Sequence, residues 1–224
     1  MKTIVLPIFS FCFSAISFAQ QAPAWDSTFR PGNYTRQVDN FRRYPNASTD
    51  IIMLGNSITD YAQWNELLQI NEVRNRGISG DITYGILERL DEIIEGNPAK
   101  VFILIGINDI SRNIPDSVIV DNYKRIIRRI KEGTPNTKIY FNTLLPVNNT
   151  FPTKTHFNKD EHILFINGEL KKMKKSEKIT VIDIHSKFLD KEKMLDKKYT
   201  YDGLHLNAEG YQLWAEILKP YIKD

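Results

Sequence analysis

Ile51-Ile52-Met53-Leu54-Gly55-Asn56-Ser57-Ile58 is the most telling run in this chain of 224 residues. Its apolar residues end abruptly at a glycine, a pattern typical of a short strand buried in a parallel sheet. A serine follows two positions later, where a helix can begin. The run therefore predicts a β-strand, a sharp turn and a helix, with the Ser57 hydroxyl at the helix N-terminus.

The rest of the chain alternates between short apolar runs and helical patterns. Four further strands are predicted, at 73–76, 101–105, 138–143 and 179–182. Helices are predicted at 61–70, 82–94, 115–133, 157–173 and 208–218. This alternation predicts an α/β fold in which a five-stranded parallel sheet carries helices on both faces.

The N-terminal residues have the pattern of an export signal. Lys2 is the only charged residue before Asp26, an apolar run covers 4–18, and Ser17-Phe18-Ala19 fits a small-x-small cleavage site. Residues 1–19 are therefore expected to be a signal peptide, and the mature protein to be periplasmic or secreted. An uncleaved membrane anchor is the alternative, although the run is shorter than the roughly 20 residues that span a bilayer.

The predicted mature chain has two parts. Residues 20–48 predict an irregular lead-in, because prolines and a glycine interrupt them, and 49–224 predict one domain with a full core. Cleavage after Ala19 would remove Cys12, the only cysteine. The mature protein would then hold no disulfide, no thiol nucleophile, no cysteine metal ligand and no integral membrane span.

The charge distribution argues against nucleic-acid binding, and the spacing of the histidines argues against a metal site. The formal net charge is +3, and the basic run 171–175 falls in a helical pattern without a stripe of aromatic residues. We therefore expect a solvated helix face there and no nucleic-acid binding. His156, His162 and His185 show no metal-ligand spacing, so they are interpreted as surface or core residues and no metal is expected.

Polar residues follow the predicted strands at one edge of the sheet. Ser57 comes after the first strand, Gly80 after the second and Asn108 after the third. Asp202 and His205 lie in the long connection after the fifth. Ligands of such sheets bind at the carboxyl ends of the strands, so these residues are expected to share one site.

These residue types are suited to acyl transfer. A serine with a histidine and an aspartate is the minimum set for a nucleophilic hydroxyl, with Ser57 as nucleophile, His205 as general base and Asp202 as the residue that orients the histidine. The Asn108 side-chain amide and the backbone N–H groups of Ser57 and Gly80 could bind an oxyanion.

Each residue also allows a purely structural interpretation. Ser57 could be a helix N-cap. Asp202-Gly203 could form a plain turn, and so could Asn108-Asp109. Taken singly, the motifs leave both interpretations open.

Taken together, the motifs resemble the four sequence blocks of the GDSL esterases, also called SGNH hydrolases. Gly55-Asn56-Ser57, Gly80, Gly106-x-Asn108-Asp109 and Asp202-x-x-His205 occur in the order of that family. The stretches 75–81, 145–148 and 202–207 resemble exported acylhydrolases grouped with sialate O-acetylesterases. One position departs from the pattern, since Asn56 stands where the name-giving motif has aspartate, but that position is outside the triad.

The resemblance implies a three-layer α/β/α, flavodoxin-like fold and hydrolysis of carboxylic esters without cofactor or metal. It implies a triad of Ser57, Asp202 and His205, with Gly80 and Asn108 as oxyanion donors.

The leading hypothesis is an esterase that removes short acyl groups, acetyl above all, from an O-acetylated carbohydrate. The alternative is a lipid-directed esterase, lysophospholipase or thioesterase on the same scaffold. A catalytically silent carbohydrate-binding module is disfavoured by the complete set of catalytic residue types, and a phosphate- or flavin-binding module by the absence of a glycine-rich phosphate loop at 55–58. Trp64, Asn65 and Asn148 are candidate substrate-binding residues, although the same side chains could serve packing.

Overall fold

The sheet has the predicted parallel architecture. The computed structural model describes residues 25–152 and 154–223, so the predicted signal peptide lies outside the described residues. The strands are β1 (Ile51–Gly55), β2 (Val73–Gly77), β3 (Lys100–Leu104), β4 (Lys138–Asn142) and β5 (Thr180–Ile182). They form one parallel sheet in the order β2-β1-β3-β4-β5. Each predicted strand is confirmed to within one residue at either end.

Helices cover both faces of this sheet. They are α1 (Tyr34–Arg43), α2 (Ser57–Asp60), α3 (Trp64–Leu68), α4 (Thr83–Glu95), α5 (Ile107–Ser111), α6 (Asp116–Gly133), α7 (Asp160–Ser176) and α8 (Ala208–Lys223). Helix α6 packs between α4 and α7 in one layer, while α3 and α8 pack together in the other. The three-layer α/β/α fold is therefore confirmed. Within residues 25–152 and 154–223, no helix is long and apolar enough to cross a membrane.

The prediction of an irregular lead-in over 20–48 is wrong for its central part, where α1 forms. Tyr34, Val38 and Phe41 recur at helical spacing and are buried. Phe41 covers two guanidinium groups, with the Cζ atoms of Arg76 and Arg89 lying 4.9 and 5.9 Å from its ring centroid. Pro31 and Pro45 lie on either side of the helix and do not interrupt it, so prolines were a poor guide to structure here.

The helix predicted over 61–70 is present but shorter than predicted, because α3 covers only Trp64–Leu68 and a separate short helix, α2, comes before this segment. Asn56 is the N-cap of α2, since its Oδ1 accepts a hydrogen bond from the backbone N–H of Ile58 at 3.1 Å. Gln69 ends α3 in a left-handed conformation, with φ of 56°. Ser57 is consequently the first helical residue and not the N-cap.

The strand order places β1 inside the sheet, between the edge strand β2 and the central strand β3. From β1 the chain crosses to β2 on one side and then returns to β3 on the other. Gly55 pairs in register with Gly77 of β2 and Leu104 of β3. The connections that follow these three strands therefore emerge side by side, at the point where parallel sheets bind ligands.

Candidate active site

A tight turn after β1 holds Ser57. A Cβ atom on Gly55 would lie too close for non-bonded contact to the Leu104 carbonyl oxygen and to Thr59 Oγ1. Glycine is therefore required for β1 to enter α2 so closely beside β3. Because Asn56 performs the capping, the Ser57 hydroxyl is free to face the edge of the sheet.

The structure brings Ser57, His205 and Asp202 together in a chain of hydrogen bonds. Ser57 Oγ lies 3.0 Å from His205 Nε2, and His205 Nδ1 lies 2.8 Å from Asp202 Oδ2. An ionised carboxylate only accepts hydrogen bonds, so Nδ1 carries the proton and Nε2 is the acceptor. The serine hydroxyl therefore donates to the histidine.

The loop around Asp202 fixes its carboxylate. Asp202 Oδ1 accepts from the backbone N–H groups of Leu204 at 3.0 Å and His205 at 2.8 Å. Burial opposes ionisation, but the hydrogen bonds from the His205 ring and from these two N–H groups outweigh it and lower the pKa of Asp202 to about 2. Gly203 adopts φ of +81°, and a Cβ there would lie 2.6 Å from the Asn148 carbonyl oxygen. The loop is thus preorganised around an ionised aspartate.

Three potential hydrogen-bond donors follow the carboxyl ends of β1, β2 and β3: the backbone N–H groups of Ser57 and Gly80 and the side-chain amide of Asn108. Asn108 is in α5, and its Nδ2 donates to the Asp81 carbonyl oxygen at 2.9 Å, which leaves the second amide hydrogen unused. The backbone N–H groups of Ser57 and Gly80 donate to no partner within the described chain. The arrangement can therefore offer several donors to a developing negative charge.

Buried ion pairs hold the Gly80-Asp81 turn. Asp81 accepts from Arg89 Nε at 3.0 Å, and both side chains are completely buried. Arg89 also donates to the carbonyl oxygens of Gly55 at 3.2 Å and Arg76 at 2.9 Å. One guanidinium therefore links the turn to the ends of β1 and β2.

Asp109 fastens α5 to α4. It is completely buried and accepts hydrogen bonds from the backbone N–H of Thr83 at 3.0 Å and from Thr83 Oγ1 at 2.5 Å. Burial raises the pKa of Asp109 to about 7, against the effect of the Thr83 hydrogen bonds. Asp109 makes no contact with the Ser57–His205 pair, so it supports the loop from behind.

Two exposed aromatic rings flank His205, and motif-based reasoning missed both. The ring centroids of Tyr61 and Tyr201 lie 5.1 and 6.1 Å from that of His205. These tyrosines are 49% and 57% exposed, which is unusual for large aromatic side chains. In the sequence, the only sign that these tyrosines are exposed is that each lies among polar residues, in 59–65 and 200–202.

A shallow groove of about 410 Å³, lined by both polar and apolar residues, includes Tyr61. Its lining includes Gln63, Glu66, Tyr211 and Gln212. It runs between α3 and the start of α8, close to His205.

Sequence reasoning also missed Lys154 and His156. Lys154 Nζ lies 3.3 Å from Asp202 Oδ2, and His156 Nε2 lies 3.0 Å from Asn108 Oδ1. Both residues lie between β4 and α7, after the stretch 145–148 that resembles the acylhydrolases, and no motif points to either of them. Only the folded chain brings this segment over the site.

Two predicted substrate-binding residues are wrong. Trp64 is 1% exposed, donates to the Thr59 carbonyl oxygen at 2.8 Å and packs edge-on against Trp214. Asn148 is fully buried, and its Nδ2 donates to the Leu195 carbonyl oxygen at 2.7 Å. The polar groups of both side chains therefore bind backbone carbonyl oxygens inside the protein. Asn65 is exposed on α3, and its role stays a prediction.

Within residues 25–152 and 154–223, no group of three or more His, Cys, Asp or Glu side chains is arranged to hold a metal ion.

Comparison with known proteins places the chain among acylhydrolases. Residues 53–213 match the GDSL-like Lipase/Acylhydrolase family. The chain is 30% identical over 196 residues to N-acylneuraminate cytidylyltransferase of Escherichia coli O18:K1:H7, a match that covers 84% of this chain and 44% of that protein. The chain thus spans less than half the length of this relative. It is 25% identical over 178 residues to the human platelet-activating factor acetylhydrolase IB subunit alpha2, covering 76% and 73%.

Solved structures show the same fold. A protein of Streptococcus pneumonia, provisionally described as a platelet activating factor, superposes with a TM-score of 0.79 at 29% identity, covering 85% of this chain and 92% of that one. A GDSL-like lipase of Bacteroides thetaiotaomicron superposes with a TM-score of 0.75 at 24% identity, covering 85% and 97%. An acetyl xylan esterase shares the fold with a TM-score of 0.65 at 20% identity, covering 77% and 98%.

Proposed function

This chain belongs to the GDSL-like Lipase/Acylhydrolase family, and we propose that it is a carboxylic ester hydrolase with Ser57, His205 and Asp202 as its catalytic triad. The observation that carries the proposal is the continuous hydrogen-bond chain from Ser57 Oγ through His205 to Asp202. Such a chain activates a hydroxyl that is otherwise a weak nucleophile.

The proposed mechanism has two halves. His205 Nε2 takes the proton as Ser57 Oγ attacks the ester carbonyl carbon, and Asp202 stabilises the imidazolium that forms. The oxyanion of the tetrahedral intermediate is bound by the N–H groups of Ser57 and Gly80 and the free amide hydrogen of Asn108. Collapse expels the alcohol, which receives the proton from His205. Water, deprotonated by His205, then hydrolyses the acyl-serine and releases the carboxylic acid.

We propose that the acyl group is short, acetyl above all. The apolar cavity beside Asn56 and Ile58 has a volume of only about 10 Å³. This cavity adjoins the residues on either side of Ser57 and could not admit a fatty acyl chain. A relative that is an acetylhydrolase by name supports the same conclusion.

We propose an O-acetylated carbohydrate as the substrate. A sugar ring has an apolar C–H face and a rim of hydroxyl groups. Tyr61 and Tyr201 offer exposed aromatic faces beside the histidine that protonates the leaving alcohol. The groove beyond Tyr61 adds the amide and carboxylate groups of Gln63, Glu66 and Gln212, which suit hydroxyl groups.

The nucleophile is tested by covalent labelling. A fluorophosphonate probe should label the purified mature protein once, at Ser57, and Ser57→Ala should lose at least about 10³-fold in kcat/KM because triad members act as a unit. Labelling at another residue, or full activity of Ser57→Ala, would refute the triad.

The acyl preference is tested with a series of acetyl, butyryl and octanoyl esters of one alcohol. Acetyl esters should have the highest kcat/KM. Each methylene buried in an apolar groove would contribute about 0.8 kcal/mol, so a lipid-directed enzyme would show activity rising steeply with chain length. That rising series would replace the acetyl proposal with the lipid-directed alternative.

The proposal that a carbohydrate carries the acetyl group is tested by comparing two substrates of one enzyme. Gln212→Ala should lower the ratio of kcat/KM for an O-acetylated oligosaccharide to that for phenyl acetate, by about fivefold for the loss of one hydrogen bond. Asn136→Ala is the control, because Asn136 lines a groove of similar volume, about 440 Å³, beside the amino end of β4. An unchanged ratio in Gln212→Ala would argue against a sugar in this groove.

We propose that residues 1–19 are a signal peptide and that the mature enzyme is exported, to the periplasm or the medium. The apolar run 4–18 and the small residues before Gln20 support this. N-terminal sequencing of exported protein should begin at Gln20. A chain that retains Met1 and sediments with membranes would favour the anchor.

A further inference from the structure

His156 is held against the amide end of Asn108. His156 Nε2 lies 3.0 Å from Asn108 Oδ1. An amide oxygen only accepts hydrogen bonds, so the ring donates and its proton sits on Nε2.

The other ring nitrogen keeps His156 in this state. His156 Nδ1 is buried and has no hydrogen-bond partner within the described chain. A second proton on this nitrogen would be buried without an acceptor. Burial lowers the pKa of His156 to about 4, and the neighbouring His205, Lys154 and Lys159 act in the same direction because they disfavour a second positive charge. The ring is therefore neutral at pH 7, with a single proton directed at Asn108.

Both ends of the Asn108 side-chain amide are therefore hydrogen-bonded. His156 donates to Oδ1, while one Nδ2 hydrogen is taken by the Asp81 carbonyl oxygen at 2.9 Å. A flipped amide would bring two oxygens together at Asp81 and two N–H groups together at His156. The two contacts thus select the one orientation that leaves an N–H, and not an oxygen, available beside Ser57.

We propose that His156 is a positioning residue, which acts through Asn108 to orient the oxyanion donor. The inference rests on the proposed function, in which Asn108 binds the oxyanion. It assigns a role to the segment before α7, which lies outside the four sequence blocks that carry the chemistry.

The test uses two substitutions at His156. His156→Phe removes the donor, and we expect kcat to fall by roughly 10- to 100-fold with KM nearly unchanged, because a misplaced catalytic group loses up to about that factor. His156→Gln can place an amide N–H near the position of Nε2 and should recover most of kcat. His185→Phe is the matched control: His185 is also partly buried but contacts neither Asn108 nor the triad, and it should keep kcat.

A double substitution separates positioning from general damage. If His156 acts only through Asn108, then His156→Phe combined with Asn108→Ala should be no slower than Asn108→Ala alone. Multiplicative losses in the double variant, or no rescue by His156→Gln in a folded enzyme, would overturn the inference.

The same preparations distinguish this inference from the proposed function. If the wild-type enzyme is labelled by fluorophosphonate at Ser57 but His156→Phe keeps full kcat, only the role of His156 is refuted. If Ser57 is not labelled in the wild type, the proposed function fails and the inference falls with it.

Discussion

Replacing Asn108 by alanine should slow catalysis and leave substrate binding almost intact. The free Nδ2 hydrogen of Asn108 is assigned to the oxyanion, which exists only after Ser57 has attacked. Its loss should therefore reduce kcat and kcat/KM together, with little change in KM.

The expected losses of kcat and of stability follow from the hydrogen bonds that the substitution removes. One oxyanion donor corresponds to about 2.7–4 kcal/mol of the barrier, or roughly 10²–10³ in kcat. The substitution also removes two ground-state bonds, those of Asn108 to Asp81 and to His156. Each buried group left without a partner costs about 1–3 kcal/mol of folding free energy. The variant should thus be both slower and less stable, for two separate reasons.

The assay combines initial rates on phenyl acetate with thermal unfolding followed by circular dichroism. Asn142→Ala is the matched control, because Asn142 is 1% exposed and its Nδ2 also donates to a backbone carbonyl, that of Ile103 at 3.1 Å. It should lose stability yet keep most of kcat. A folded Asn108→Ala enzyme with normal kcat, or one changed only in KM, would refute the oxyanion role.

Three further predictions concern the loops that hold the site. The pKa of Asp202 is lowered from 3.8 to about 2, so the stability that its ionised form contributes is complete above pH 4 and is lost as the pH falls through about 2. Tm should therefore fall more steeply from pH 4 to 2 in the wild type than in Asp202→Asn. Parallel curves of Tm against pH would contradict this. Gly203→Ala should lower both Tm and kcat, because alanine is strained at φ of +81° and its Cβ would collide with the Asn148 carbonyl; an alanine variant with wild-type values would show that the loop tolerates a side chain. Arg89→Met should lower the free energy of unfolding by about 3–5 kcal/mol, since it leaves the Asp81 carboxylate buried without its partner; chemical denaturation measures this loss, and a change below about 1 kcal/mol would mean that the pair is unimportant.

The sheet and the grouping of Ser57, Asp202 and His205 could be predicted because their signals are local. A short apolar run ending at glycine identifies a buried strand without knowledge of its neighbours. Once the strands are parallel, residues that follow them must meet at one edge, however distant they are in sequence. Gly80 and Asn108 are brought to that edge for the same reason.

The remaining features depend on contacts between distant segments. The burial of Trp64 is set by Trp214 on α8, and that of Asn148 by Leu195, so no local pattern could reveal either. Helix α1 was missed for a different reason, since its flanking prolines masked three buried side chains at helical spacing. His156 offers no pattern at all, because an isolated histidine in an irregular segment acquires its partner only through folding.

Ser57 and His205 are 148 positions apart in the chain, and this separation ties the proposed chemistry to the completion of folding. Contacts this distant along the chain close late, because a large loop entropy must be overcome before the contact contributes. An intermediate with β1 to β4 assembled could hold Ser57 and Asn108 in place and still have no base. If Ser57 and His205 are the catalytic pair as proposed, we expect no ester hydrolysis before the segment that carries Asp202 and His205 has docked, so recovered activity would report on the final closure of the fold.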